Sequence, residues 1–139
     1  MDSIVKLLMT DLSPEVTAQC KEALAKQNIH LTVCEKDGKK ALAAIRECKP
    51  TAVLLDAFLP GLDAISVKQK FDESGGSGTT FFVTGSFLDD ALESEMIEKG
   101  FSFYFLKPFD PAMLARRVLE ASGRQMHPAT QVDDECTVT

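Results

Sequence analysis

The chain of 139 residues has no tryptophan, one tyrosine and two histidines. Its four cysteines, Cys20, Cys34, Cys48 and Cys136, form no CxxC pair and no cluster with histidine. That spacing excludes a zinc site and a dithiol redox pair, and fits small idle thiols in a reducing compartment. His30 and His127 stand too far apart to suggest a role. No apolar run approaches the roughly 18 residues that a membrane helix needs. Asp2 and Lys6 interrupt the first apolar stretch, so no signal peptide is expected and the cytoplasm is the expected compartment. A basic excess is also missing: 15 Lys and Arg face 21 Asp and Glu, giving a net charge of −6. Direct binding of nucleic acid by this stretch is therefore not expected, because phosphate contacts need a basic face. With 45% hydrophobic and 26% charged residues, the composition is that of a soluble domain with one substantial core.

Along the chain, short apolar runs alternate with helical stripes. The run from Ile4 to Thr10 ends at Asp11. Ser13-Pro14-Glu15 then predicts a helix start, with Ser as cap, Pro at the first helical position and an acid in the first turn. Val16, Cys20, Ala23 and Leu24 supply its apolar face. His30 to Cys34 alternates like a strand, Asp37-Gly38 predicts a turn, and Ala41, Leu42, Ile45 and Cys48 give a second stripe up to Pro50. Thr51 to Asp56 is almost wholly apolar, which suits a central parallel strand buried on both faces. A helix is expected over Leu62 to Phe71, a flexible link at Gly75 to Gly78 and a strand over Thr79 to Thr84. The spacing then predicts a helix from Leu88 to Lys99 closed by Gly100, a strand from Ser102 to Leu106 and a helix from Asp110-Pro111 to Ser122. Five β-α units of this kind make a doubly wound α/β domain over 1–122, leaving 123–139 as a tail or linker.

In a parallel sheet the carboxyl ends of all strands share one edge, where ligands bind. Asp11, Asp56, Thr84 and Lys107 each stand at such an end. Singly, each fits a helix cap, a turn former or a solvated surface residue. Together they point to one small site.

The segment Asp56-Ala57-Phe58-Leu59-Pro60-Gly61-Leu62-Asp63 resembles the phosphoacceptor motif of response-regulator receiver domains. Phe82-Val83-Thr84-Gly85 is similar to the strand that ends in Thr or Ser plus a small residue. Tyr104-Phe105-Leu106-Lys107-Pro108-Phe109 is similar to the family's lysine region, with an aromatic three positions before the lysine. The resemblance spans residues 4 to 122. Within the family, Phe101 to Asp110 and the tail from Val132 to Thr139 are most similar to the stage 0 sporulation protein A family. The resemblance implies a flavodoxin-like, CheY-like (βα)5 fold with a five-stranded parallel sheet of order 2-1-3-4-5. It implies phosphorylation of Asp56 by a histidine kinase or histidine phosphotransfer protein, with Lys107 and Thr84 on the phosphoryl oxygens and Thr84 and Tyr104 as switch residues. It also implies magnesium held by Asp11, Asp56 and the carbonyl of Phe58, and a cis Lys107-Pro108 peptide. A homodimer through the face of the fourth helix, fifth strand and fifth helix is a further implication. DNA would be bound only through a domain beyond this chain. The domain would be a phosphoacceptor, not an enzyme.

One departure bears on chemistry. Receivers carry two adjacent acids after the first strand, and this chain has Thr10-Asp11-Leu12. Either Asp11 is the first acid and Leu12 replaces the second, the preferred register, or Thr10 replaces the first and Asp11 remains. Loss of a direct ligand should weaken magnesium about 10–100-fold or more. Ala64, where the motif has Gly, is a milder change. A rival reading is a pseudo-receiver, which docks or dimerises without a phosphorylation cycle and would ignore magnesium. A flavin-binding or small α/β enzyme is disfavoured, because Leu12-Ser13-Pro14-Glu15 is a poor phosphate cradle.

Overall fold

The computed structural model describes residues 4–123. Strands and helices alternate as β1 (Val5–Thr10), α1 (Pro14–Lys26), β2 (Ile29–Cys34), α2 (Gly38–Cys48), β3 (Ala52–Asp56), α3 (Ala64–Glu73), β4 (Thr80–Gly85), α4 (Asp90–Glu98), β5 (Phe101–Leu106) and α5 (Pro111–Ser122). All five strands pair in parallel in the order β2-β1-β3-β4-β5. This is the expected doubly wound fold. Its strand order reverses between β1 and β3, and the ends of those two strands frame the crevice where such folds place ligands. None of the described helices is long and apolar enough to cross a membrane. The expected tail lies outside the described residues except for Gly123, which closes α5 in the left-handed region.

Capping chemistry fixes where the helices begin. Ser13, Asp37, Asp63, Asp89 and Asp110 each accept a backbone N–H with the side chain. These caps correct three expectations. Asp37-Gly38 is a helix entrance and not a free turn, because the Asp37 carboxylate takes the Lys39 and Lys40 amides at 2.9 and 3.0 Å. The third helix starts at Ala64 and the fourth at Asp90, each two residues later than the apolar pattern predicts. Asp63 and Asp89 hold extended backbone so that their oxygens can satisfy the first free N–H groups.

The sheet is buried on both faces. Leu7, Met9, Leu54, Phe82 and Phe105 pack under α1 and α5 with Leu24, Leu114 and Val118. Leu8, Val53, Leu55, Phe81 and Val83 pack under α2, α3 and α4 with Ile45, Val67 and Met96. β3 is buried at every position, as its unbroken apolar run predicts. A register shift between β4 and β5 pairs Phe81 with Phe101 but Phe82 with Phe103, skipping the exposed Ser102. Because of that skip, Phe101 and Tyr104 point to one face and Phe103 and Phe105 to the other.

Candidate functional site

Asp56 is the last residue of β3, and its side chain is only 5% exposed. Its backbone N–H donates to the Thr10 hydroxyl at 3.1 Å, which ties β3 to the end of β1. The Phe58 N–H donates to Oδ1 at 3.1 Å. On the other oxygen, Lys107 Nζ donates to Oδ2 at 2.6 Å, and Lys36 Nζ stands 3.3 Å from the same atom. Burial by itself pushes the carboxyl up. The Lys107 and Phe58 hydrogen bonds and the charges of Lys107 and Lys36 outweigh it and hold Asp56 below its ordinary range. The group is thus a buried, ionised carboxylate at neutral pH.

Thr84 lies beside Asp56 in the β3–β4 register. It is fully buried, and its hydroxyl donates to the Phe105 carbonyl at 2.6 Å. Lys107 follows β5 and is anchored through its own N–H to the Gly85 carbonyl at 2.8 Å. The Lys107-Pro108 peptide is cis. Tyr104 is buried, and its hydroxyl donates to the Phe87 carbonyl at 2.5 Å in the loop before α4. Gly85 makes that position available: a Cβ there would stand 2.1 Å from the Tyr104 hydroxyl oxygen. Burial, and then the negative charge of Asp56, push the Tyr104 phenol up.

Asp56, Thr84 and Lys107 therefore meet at one edge, as expected, with Tyr104 behind them. The acidic corner is different. Asp11 is exposed just past β1, its N–H bound to the Cys34 carbonyl. Leu12 is half-buried, packs against the α1/α5 core and lines a cavity of about 430 Å³ with Ser13, Val16, Lys107 and Phe109. Thr10 is buried and occupied with the Asp56 amide, so in either register one acid is lost. Among the described residues no three His, Cys, Asp or Glu side chains come together. Magnesium prefers an octahedral shell built on carboxylate oxygens. A corner with one buried carboxylate, already approached by two ammonium groups, does not fit a resident divalent ion.

Three participants were not read from the sequence. In the sequence Thr10 stands only where an acid is missing and Gly85 only as the small residue after Thr84, while Lys36 carries no reading at all. Lys36 had a legible signal: it follows β2 at the same sheet edge as the other four candidates.

Residues 7–119 match the family described as Response regulator receiver domain. The DNA-binding response regulator MtrA of Mycolicibacterium smegmatis is 30% identical over 113 residues, covering 81% of this chain and 48% of that protein. MtrA of Mycobacterium tuberculosis strain H37Rv is 35% identical over 82 residues, 59% of this chain and 35% of that protein. The chain thus spans at most about half the length of these curated relatives. Among solved structures, the receiver domain of the Francisella response regulator 1452 superposes with a TM-score of 0.76 at 24% identity, covering 86% of this chain and 97% of that one. The chemotaxis response regulator CheY4 of Vibrio cholerae gives 0.72 at 18% identity, covering 86% and 99%. These last two likenesses bear on the fold alone.

Proposed function

The chain belongs to the response regulator receiver domain family, and from that premise we propose that Asp56 accepts a phosphoryl group from a phosphohistidine on a histidine kinase or phosphotransfer protein. The observation that carries this reading is the buried, ionised Asp56 carboxylate with the Lys107 ammonium at 2.6 Å. In the transfer, an Asp56 oxygen forms a bond to phosphorus as the phosphorus–nitrogen bond of the donor breaks. The histidine nitrogen leaves with the electron pair. Such transfers are governed by positioning and charge neutralisation, which a preorganised ammonium supplies without rearrangement.

Receiver domains generally bind Mg²⁺ at the phosphorylation site. In this chain the lost acid and the nearby ammonium groups make that binding weak, and no step is assigned to it. Lys107 faces the incoming phosphoryl oxygens, and Thr84 turns its hydroxyl from the Phe105 carbonyl toward them. About two added negative charges at the end of β3 then bias the loop after β4 and Tyr104.

The output surface is the face of α4, β5 and α5, through which the chain forms a homodimer. In support, Phe87 before α4, Ile97 on α4, Leu106 on β5 and Met113 on α5 are all large, apolar and exposed. A DNA-binding domain outside this chain would carry the response, and the kinship with DNA-binding regulators is what supports it. A sporulation-type target would follow only from the resemblance of 101–110; the relatives of the MtrA kind add nothing to that part of the reading.

Leu12 and Lys36 favour one second reading, a pseudo-receiver that only docks or dimerises. Phosphoryl uptake from acetyl phosphate separates the two. Uptake that vanishes in Asp56→Asn supports the phosphoacceptor, and equal labelling of parent and variant refutes it. No labelling under any condition favours the pseudo-receiver.

A further inference from the structure

We infer that Lys36 is a built-in cation of this site, neutralising phosphoryl charge where receivers otherwise rely on a divalent ion, so that transfer to Asp56 proceeds without metal. The inference rests on the reading of Asp56 as phosphoacceptor and extends it. Lys36 Nζ is 3.3 Å from Asp56 Oδ2, the oxygen that also accepts from Lys107. The two ammonium groups offset the charges of Asp56 and of the exposed Asp11 after β1, so this corner carries no excess negative charge before any ion arrives. A phosphoryl group bound there is anionic and is attracted. A divalent cation finds no net negative charge to hold it.

The placement of Lys36 is built and does not depend on chance reach. It projects from the loop between β2 and α2, and that loop is pinned on three sides. The Asp37 N–H donates to the Glu35 carbonyl at 2.8 Å. The Gly38 N–H donates to the Pro60 carbonyl at 2.9 Å, joining this loop to the one that follows Asp56. Gly38 packs so closely on Leu62 that a Cβ would fall 1.7 Å from the Leu62 carbonyl oxygen, so the two loops are in direct contact. Glu35, the neighbour of Lys36, pairs instead with Lys40 at 2.8 Å. Asp37 is spent on the α2 cap. Lys36 pairs with Asp56. Its side chain keeps 47% of its surface exposed, so an incoming donor can reach it.

With acetyl phosphate as donor, an Asp56 oxygen forms a bond to phosphorus and the bond from phosphorus to the acetate oxygen breaks. Acetate leaves as an anion with the electron pair, so no proton is required. The phosphoryl oxygens then lie against Lys36 and Lys107.

The test compares the 139-residue chain with Lys36→Ala, Lys36→Glu and Asp56→Asn, each checked for folding by circular dichroism. Phosphoryl uptake is followed by mass with EDTA and across a magnesium titration, and Mn²⁺ binding is measured separately by electron paramagnetic resonance. The parent should label in EDTA at a rate within about tenfold of its rate in magnesium, and Lys36→Ala should lose at least about tenfold of the metal-free rate, the low end for loss of a supporting group. Lys36→Glu, which returns a carboxylate to the corner, should bind Mn²⁺ at least about tenfold more tightly than the parent. Labelling of the parent only with magnesium, or an unchanged metal-free rate in Lys36→Ala, overturns the inference. Failure of the parent chain to label under any condition overturns the phosphoacceptor reading itself. In that case equal Mn²⁺ affinity in parent and Lys36→Glu would also deny that Lys36 sets the charge of the corner.

Discussion

Gly85→Ala tests how Tyr104 is held inward. A Cβ at this position stands 2.1 Å from the Tyr104 hydroxyl oxygen and 3.2 Å from Cζ. Gly85 does not adopt positive φ, so alanine meets no backbone strain and the whole effect is steric. Ordinary contact requires the hydroxyl to retreat by more than about 1 Å, which is incompatible with its 2.5 Å bond to the Phe87 carbonyl. Losing that bond costs about 1 kcal/mol. If the ring also swings out, lost burial adds about 2 kcal/mol. A gain of about 0.4–1 kcal/mol from the stiffer unfolded chain offsets part of this. Net destabilisation in urea unfolding is expected to be about 2–2.6 kcal/mol with the ring swung out, and about 0–0.6 kcal/mol if only the bond is lost.

The clash also predicts its own rescue. In Tyr104→Phe the hydroxyl is gone and the nearest ring atom is Cζ at 3.2 Å, a contact that a small shift relieves. The double variant should therefore be no less stable than Tyr104→Phe alone, a coupling as large as the cost of Gly85→Ala itself. With one tyrosine and no tryptophan in the chain, phenolate absorbance reports Tyr104 alone. Burial and the Asp56 charge raise this phenol in the folded protein. A raised group contributes stability that is present below its unfolded value, about 10, and that is lost as pH rises through the folded value. In Gly85→Ala the phenol should titrate closer to 10 and that alkaline decline should shrink. An unchanged phenol titration together with additive stabilities would refute the reasoning.

Two other perturbations probe the ends of the sheet. Thr10→Val keeps shape but removes the acceptor for the buried Asp56 N–H, so about 1–3 kcal/mol should be lost and this amide should exchange faster. A loss below about 0.5 kcal/mol, within the range of an ordinary surface change, would show that the hydroxyl is dispensable. Burial pushes the Cys20 and Cys34 thiols from 9.0 up to about 11. Alkylation of Cys20 and Cys34 at pH 9 should be much slower in the folded chain than in urea, and stability should fall as pH rises from 9 to about 11, because these thiols release their protons first in the unfolded chain. Equal alkylation rates in the two states would contradict that burial.

Much of the fold was legible because periodicity and capping are local. The apolar run ending in Asp56 announced a central strand, and Ser13-Pro14 and Asp110-Pro111 marked helix starts that the structure keeps. The later starts of α3 and α4 were missed because Leu62 and Leu88 continue the apolar pattern while lying before their caps. At the site, Asp56, Thr84 and Lys107 could be read because each ends or follows a strand. Lys36 likewise follows a strand, but its meeting with Asp56 depends on a loop held to Pro60 and Leu62 across the sheet edge, which no local pattern encodes.

By itself, then, the sequence determined the alternating elements, the parallel sheet and the family, since these follow from short-range patterns and from motifs in order. It also determined that one acid of the corner is absent, a matter of composition. Tertiary structure alone decided what replaces it. The distance from Lys36 to Asp56, the use of Thr10 as acceptor for the Asp56 amide and the face taken by Tyr104 all depend on contacts between distant segments. The last also depends on the skipped Ser102, which turns Tyr104 to the face of Phe101. Charge and packing act through space, and only the folded chain sets those distances.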